Sequence, residues 1–134
     1  MPNRLSNHAA FTLVEIMIVV SIIALLAALA LPNFLRARKR SQASVILEEM
    51  RLIDGAKDTY AIEHHLAGTA PITWDQIRTH LKPSTRLYNS GGVDILGAAI
   101  TQGAVDSAPK IADTTRDNFT DVVDTVQFWG SYAN

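Results

Sequence analysis

Ala10-Phe11-Thr12-Leu13-Val14-Glu15 opens an apolar run that continues through Leu35. Between Ile16 and Leu31 the single polar side chain is Ser21. Phe11 to Leu31 is 21 residues, or about 30 Å as a helix, which matches the hydrocarbon thickness of a bilayer. A secretory signal peptide has a shorter apolar core and ends in a small-residue cleavage site. This run is longer, and no small-x-small site follows it before the basic cluster at 36–40, so it reads as a retained span. Glu15 is the exception within it. An ionised carboxylate in hydrocarbon costs about 2.5–3.5 kcal/mol on insertion scales, so such a residue needs a partner or a task.

Working outward, 134 residues make one small domain plus its anchor. The net charge of −1 conceals a division. Residues 1–40 carry five basic side chains (Arg4, Arg36, Arg38, Lys39, Arg40) against Glu15, while residues 41–134 carry seven basic and twelve acidic ones. An acidic head argues against nucleic-acid binding, which rests on phosphate neutralisation. The chain has no cysteine, which excludes disulfides, zinc–thiolate sites and thiol nucleophiles.

Residues 1–35 resemble the N-terminus of a type IV pilin or a type II secretion pseudopilin. That family has a short polar leader, a cleavage point, and Phe-Thr-Leu-(Ile/Val)-Glu opening a long apolar helix. Met1–Ala10 matches the leader, Ala10/Phe11 the junction, and Phe11-Thr12-Leu13-Val14-Glu15 the helix start. Pro32 and the basic patch after it match as well. Family members usually carry Gly before the cut; Ala10 is the next smallest residue. The resemblance implies that a prepilin peptidase and methyltransferase cuts after Ala10 on the cytoplasmic face and methylates the new amine of Phe11. Phe11 stays cationic and can pair with Glu15 of a neighbouring subunit, setting its axial register; such a pair is far stronger in low dielectric than in water. The other partners implied are identical subunits in a helical filament, an inner-membrane assembly platform and a cytoplasmic assembly ATPase. The implied location is a single-pass inner-membrane protein that becomes a periplasmic or cell-surface filament. No cofactor is implied.

Three other readings compete. Glu15 could snorkel at the edge of an ordinary signal anchor, but Phe-Thr-Leu-Val before it argues otherwise. The chain could be a monomeric membrane-anchored binding module that uses only its head. It could also be a minor tip subunit, although such subunits often lack the Glu found here at position 15. The positive-inside rule, with four basic residues after the span and one before, would put the head in the cytoplasm; the cleavage motif requires the opposite.

The expected organisation is a leader at 1–10, a transmembrane and assembly helix at 11–35, its soluble continuation at 36–65, and a globular head at 66–134. The fold expected is α+β and pilin-like: a long N-terminal helix, membrane-spanning in its first half, packed on a small C-terminal antiparallel sheet. As one helix, 11–64 would be about 80 Å long, too long for so small a head to bury. Pro32 removes a donor and crowds the carbonyl of Ala28, so a kink or loosened turn is expected there. Ala43, Ile46, Leu47, Met50, Ile53, Ala56 and Tyr60 recur at spacings of three and four, forming one apolar face. Glu48–Arg51 and Asp54–Lys57 read as ion pairs on the wet face. Gly55 is costly inside a helix: either another backbone approaches closely there, the reading favoured, or the glycine is simply tolerated. Thr73-Trp74-Asp75-Gln76 is a capping box, with Ile72 and Ile77 as its staple, starting a helix that runs to about Leu81. Strands are expected at Val93–Leu96, Ala98–Thr101, Pro109–Ala112 and through Gln127-Phe128-Trp129, with a helix from Thr115 to Asp124.

No catalytic constellation is apparent. His64 and His65 are adjacent and diverge by about 100° on a helix, so they cannot chelate one metal together. Asp117, Asp121 and Asp124 lack the loop pattern of a calcium site and read as a solvated face. Gly91-Gly92 is not followed by the Lys-Ser/Thr of a phosphate loop. The chain reads as a structural subunit and not as an enzyme.

Overall fold

A computed structural model describes residues 11–133. The leader at 1–10 expected from the sequence, including Ala10, lies outside them. The chain divides into two compact units, one ending at Arg36 and the other beginning at Ala37. Helix α1 (Leu13–Glu63) supplies the first unit and the opening of the second, and Pro32 lies within it.

In the first unit every residue of α1 is exposed. The segment is apolar all round, and a helix of that kind is stable only where something other than water surrounds it. The helix is long and apolar enough to cross a membrane. Ser21, its lone hydroxyl, donates to the Met17 carbonyl at 2.7 Å and so presents no unsatisfied polar group to an apolar surround.

In the second unit the expected apolar face is buried: Ala43, Ile46, Met50, Ile53 and Ala56 lie at 4% exposure or less. Leu47 and Tyr60 flank it, partly buried. They share one core with residues of short helices and of the loops between them, Ile72, Ile100, Ile111 and Phe119 among the latter; the helices are α2 (Trp74–Arg78), α3 (Arg86–Asn89), α4 (Asp113–Asp117) and α5 (Thr125–Trp129), with a closing 3-10 turn at Gly130–Tyr132. Phe119 and Trp129 supply the large side chains of this core, with ring centroids 6.1 Å apart. Each fully buried residue of this size contributes about 1.5–3 kcal/mol.

Helix α1 ends as a Schellman turn. Leu66 N–H donates to Ala61 O at 3.0 Å and His65 N–H to Ile62 O at 3.4 Å. His65 takes the left-handed position (φ 50°), where glycine is the usual occupant. At α2, Gln76 Oε1 accepts from Thr73 N–H at 2.8 Å, the reciprocal half of the expected box. The helix stops at Arg78 and not at Leu81.

The antiparallel sheet is not formed. The described residues contain no strand, only three isolated antiparallel bridges: Pro71 with Ala104, Val93 with Ala99, and Thr101 with Lys110. Two of these pair the segments expected to be strands. They stay short because turns interrupt them. Asp94, 2% exposed, accepts from Leu96 N–H at 2.8 Å and Ala98 N–H at 3.0 Å, folding 94–97 into a turn that ends at Gly97 (φ 87°). Thr115 Oγ1 also donates to Asp94 Oδ2. At the third segment, Thr101 and Lys110 exchange backbone bonds of 2.9 and 2.8 Å, and the pairing remains a single bridge.

Three further expectations are corrected. Gln127-Phe128-Trp129 is helical, because the Asp124 carboxylate accepts from Val126 N–H at 3.1 Å and Gln127 N–H at 3.2 Å and so starts α5. The helix expected over Thr115–Asp124 is α4 alone, ending at Asp117. Glu48 and Arg51 do pair, at 3.5 Å on the surface. Lys57 does not sit on the wet face: it is fully buried. Its Nζ donates to Gln102 O at 2.7 Å and to Ser107 O. Two carbonyls of one loop thus replace the water an ammonium would otherwise need. Burial pushes the Lys57 ammonium below its ordinary pKa, against the opposing attraction of Asp54 and Asp58.

Candidate functional site

The residues singled out at the start of the apolar run occupy the first turn of α1. Phe11 is 81% exposed. Thr12 stands immediately before the helix, and its backbone N–H donates to Glu15 Oε2 at 2.9 Å. The Thr12 hydroxyl donates to the same oxygen at 2.8 Å. In return Glu15 N–H donates to Thr12 Oγ1 at 3.2 Å. This is the reciprocal geometry of a capping box. It places a carboxylate at the positive end of the helix dipole, where negative charge is favoured.

Thr12 is the residue that sequence reasoning missed here. The signal was present, since Thr12-Leu13-Val14-Glu15 has the same T-x-x-E/Q spacing as Thr73 to Gln76. The consequence is chemical. Within one subunit the Glu15 carboxylate already has two donors and is aimed back toward the chain start. A cation arriving beside Phe11 would therefore meet an oriented acceptor rather than a freely rotating side chain.

The basic patch after the span divides by role. Lys39 Nζ bonds both Asp121 oxygens, at 3.0 and 2.9 Å. Arg40 Nε donates to Val122 O at 2.9 Å. These two cations fasten α1 to the segment between α4 and α5. Arg36 and Arg38 are exposed.

Elsewhere, Glu49 is buried and receives Arg86 as a fork, Nε to Oε1 at 2.9 Å and Nη2 to Oε2, tying α1 to α3. His80 lies 3.5 Å from Glu63 and edge-on to Tyr60. Among the described residues no three His, Cys, Asp or Glu side chains gather as metal ligands would.

Residues 5–31 match the family described as the prokaryotic N-terminal methylation motif. The chain is similar to the type IV wide pilus major component PilA4 of Thermus thermophilus, 39% identical over 59 residues, or 44% of this chain and 45% of that protein. It is also similar to the type IV major fimbrial protein FimA of Dichelobacter nodosus, 41% identical over 69 residues, covering 52% and 44%. Type II secretion system core protein G of Aeromonas hydrophila is 26% identical over 88 residues, covering 64% and 62%. The matched stretch thus spans less than half the length of the two pilus proteins and under two thirds of core protein G. No solved structure matches the chain. The N-terminal segment of this protein thus carries the prokaryotic N-terminal methylation motif, and the chain is similar to type IV pilus proteins and to type II secretion system core protein G.

Proposed function

We propose that this chain is a structural subunit that polymerises into a type IV pilus or type II secretion pseudopilus filament. Prepilin peptidase cuts it between Ala10 and Phe11, and Phe11 is then N-methylated. The observation that carries the reading is the unpartnered apolar helix behind the oriented Glu15. Sixteen large apolar side chains between Phe11 and Leu35 stand about half or more exposed. Covering them stabilises by tens of kcal/mol (roughly 1.5–3 each). That exceeds the whole stability of an ordinary domain, about 5–15 kcal/mol, so the helix must be covered by lipid, by other copies, or by each in turn.

Glu15 separates these surrounds. In lipid its carboxylate is a liability that Thr12 partly relieves; beside a neighbour's methylated Phe11 amine it becomes an ion pair in low dielectric. Assembly therefore favours the polymer over the membrane-held monomer. Pro32, lacking an N–H inside α1, serves as the place where the packed helix bends or loosens. The inner-membrane platform and an assembly ATPase are the remaining partners of this scheme, and the head reaches the periplasm or the cell surface. The role is structural, without catalysis.

The competing reading is a monomeric anchored module that uses only its head. Glu15→Ala distinguishes them when membrane fractions and sheared surface filaments are both blotted. The filament reading expects normal membrane insertion and loss of the sheared filaments. Filaments at wild-type yield from the variant would refute the role given to Glu15.

A further inference from the structure

The second unit leaves some of its opposite charges unmatched. Arg51 pairs with Glu48, Arg86 with Glu49, Lys39 with Asp121, and Arg116 with Asp113. Arg40 donates to Val122 O, Lys110 to Ser131 O and Ala133 O, and Arg78 lies over the Tyr88 ring. Among the described residues, Asp58 and Asp106 form no ion pair, and neither does Arg38. All three are exposed.

Asp58 and Asp106 line one open groove of about 600 Å³, together with Ile62, Leu66 and Val105. No lysine or arginine is among its lining residues; His65 is the basic side chain there. Ile62 is 74% exposed. Asp58 attracts the buried Lys57 ammonium, but that Nζ is engaged by Gln102 O and Ser107 O. The groove therefore offers two carboxylates beside exposed aliphatic surface. An arginine suits both parts, since its stem covers apolar surface while its planar guanidinium forks onto carboxylate oxygens.

We propose that Arg38 of a second copy of this chain docks in this groove, its stem over Ile62 and its guanidinium toward Asp58 and Asp106. Arg38 stands 20 residues before Asp58 and 24 before Ile62 on α1. Those intervals are about 30–36 Å of helix, beyond the reach of a side chain, so the contact cannot close within one copy. The apolar span gives every copy the same orientation in a membrane, so the helices run parallel. A neighbour displaced by about 30–36 Å along the helix axis then brings its Arg38 level with the groove. The pairing of Phe11 with Glu15 needs a displacement of only about 6 Å, so it involves a different neighbour. The Arg38 contact is heterologous, and with parallel copies it propagates along an open polymer rather than closing a dimer. Lys82 is also exposed and without an ion pair, but it lies beside residues 51–59 of α1, near the groove's own end of the helix. The inference rests on the filament reading above and names one contact within it.

A charge swap scored by the yield of sheared filaments tests the contact. Arg38→Glu and Asp58→Arg, each alone, bring like charges together and should lower the yield about tenfold or more. The double variant should recover to within about threefold of the unsubstituted chain. Melting temperatures of the detergent-solubilised chains separate a lost contact from misfolding, and Asp106→Arg replaces Asp58→Arg if the latter unfolds. The chain has no cysteine, so a second readout keeps these charges in place. Ser41→Cys, one turn after Arg38, combined with Ile62→Cys should give a ladder of covalent oligomers when filaments meet a short bismaleimide. Filaments of the cysteine pair without a ladder, or a double charge variant no better than its parents, would overturn this contact and leave the filament reading standing. Loss of Arg38→Glu from the membrane fraction would assign the arginine to anionic lipid headgroups and overturn the contact too. Absence of filaments from the unsubstituted chain would overturn both.

Discussion

Replacing Lys57 by methionine keeps the length and volume of the side chain and removes the ammonium. In the native fold that ammonium is fully buried and donates to the carbonyls of Gln102 and Ser107. Without it, both acceptors lose their partner at once. A buried group left unsatisfied costs about 1–3 kcal/mol. Ser107 is an exposed residue, so water can replace part of its loss, and relief from burying a charge offsets some of the rest. The expected net destabilisation is about 2–3 kcal/mol. A domain of this size loses about 4–8 °C per kcal/mol, so the melting temperature should fall by roughly 8–24 °C. The assay is thermal unfolding of the full chain in detergent, followed by near-ultraviolet circular dichroism. Amide hydrogen exchange adds a local readout, with faster exchange expected at 102–107. A fall of under about 2 °C, with exchange at 102–107 unchanged, would refute the assignment of Lys57 as the clamp on that loop.

Other expectations follow from the same geometry. Glu49→Gln removes the charge that holds the Arg86 fork and should destabilise by about 1–3 kcal/mol in urea titration; a wild-type midpoint would show the pair to be idle. His65→Gly relieves a left-handed φ of 50° and should stabilise by about 1 kcal/mol; a lower melting temperature would contradict the Schellman ending of α1. Burial, with Asp58 adding, raises the Asp54 carboxyl above its ordinary 3.8. The attraction of Lys57 and a hydrogen bond from Tyr132 oppose this shift. The folded chain therefore holds that proton more tightly than the unfolded one. Its stabilising contribution is full below the ordinary value and lost as pH rises through the raised one. The stability of wild type relative to Asp54→Asn should accordingly decline from about pH 4 toward neutrality, and a flat difference would refute the shift.

The parts of this protein legible in its sequence are those set by local pattern. The apolar run from Phe11, the buried stripe Ala43–Ile46–Met50–Ile53–Ala56, and the Thr73/Gln76 start of α2 all depend on neighbours a few positions away. The parts that were not legible depend on distant ones. Lys57 looked like a surface partner for Asp54 because its true acceptors are backbone carbonyls 45 and 50 residues further on, and a carbonyl leaves no mark on a sequence. The sheet failed for a related reason. Val93–Leu96 has strand-like side chains, yet the buried Asp94 takes two backbone donors and bends the chain before a ladder can extend. Phe128 and Trp129 likewise have strand-like side chains, yet Asp124 caps a helix ahead of them. Thr12 is a different case: its pattern was local and readable, but the question of what pairs with Glu15 pointed outward to a neighbour and not back to the preceding turn.

The central claim is that Phe11 becomes a methylated, cationic chain start able to meet Glu15 of another copy. Intact-mass and N-terminal peptide mass spectrometry of protein extracted from membranes and from sheared filaments tests it most directly. The account predicts a chain beginning at N-methyl-Phe11 in both fractions. A chain still beginning at Met1, with no methylated phenylalanine in either fraction, would contradict it.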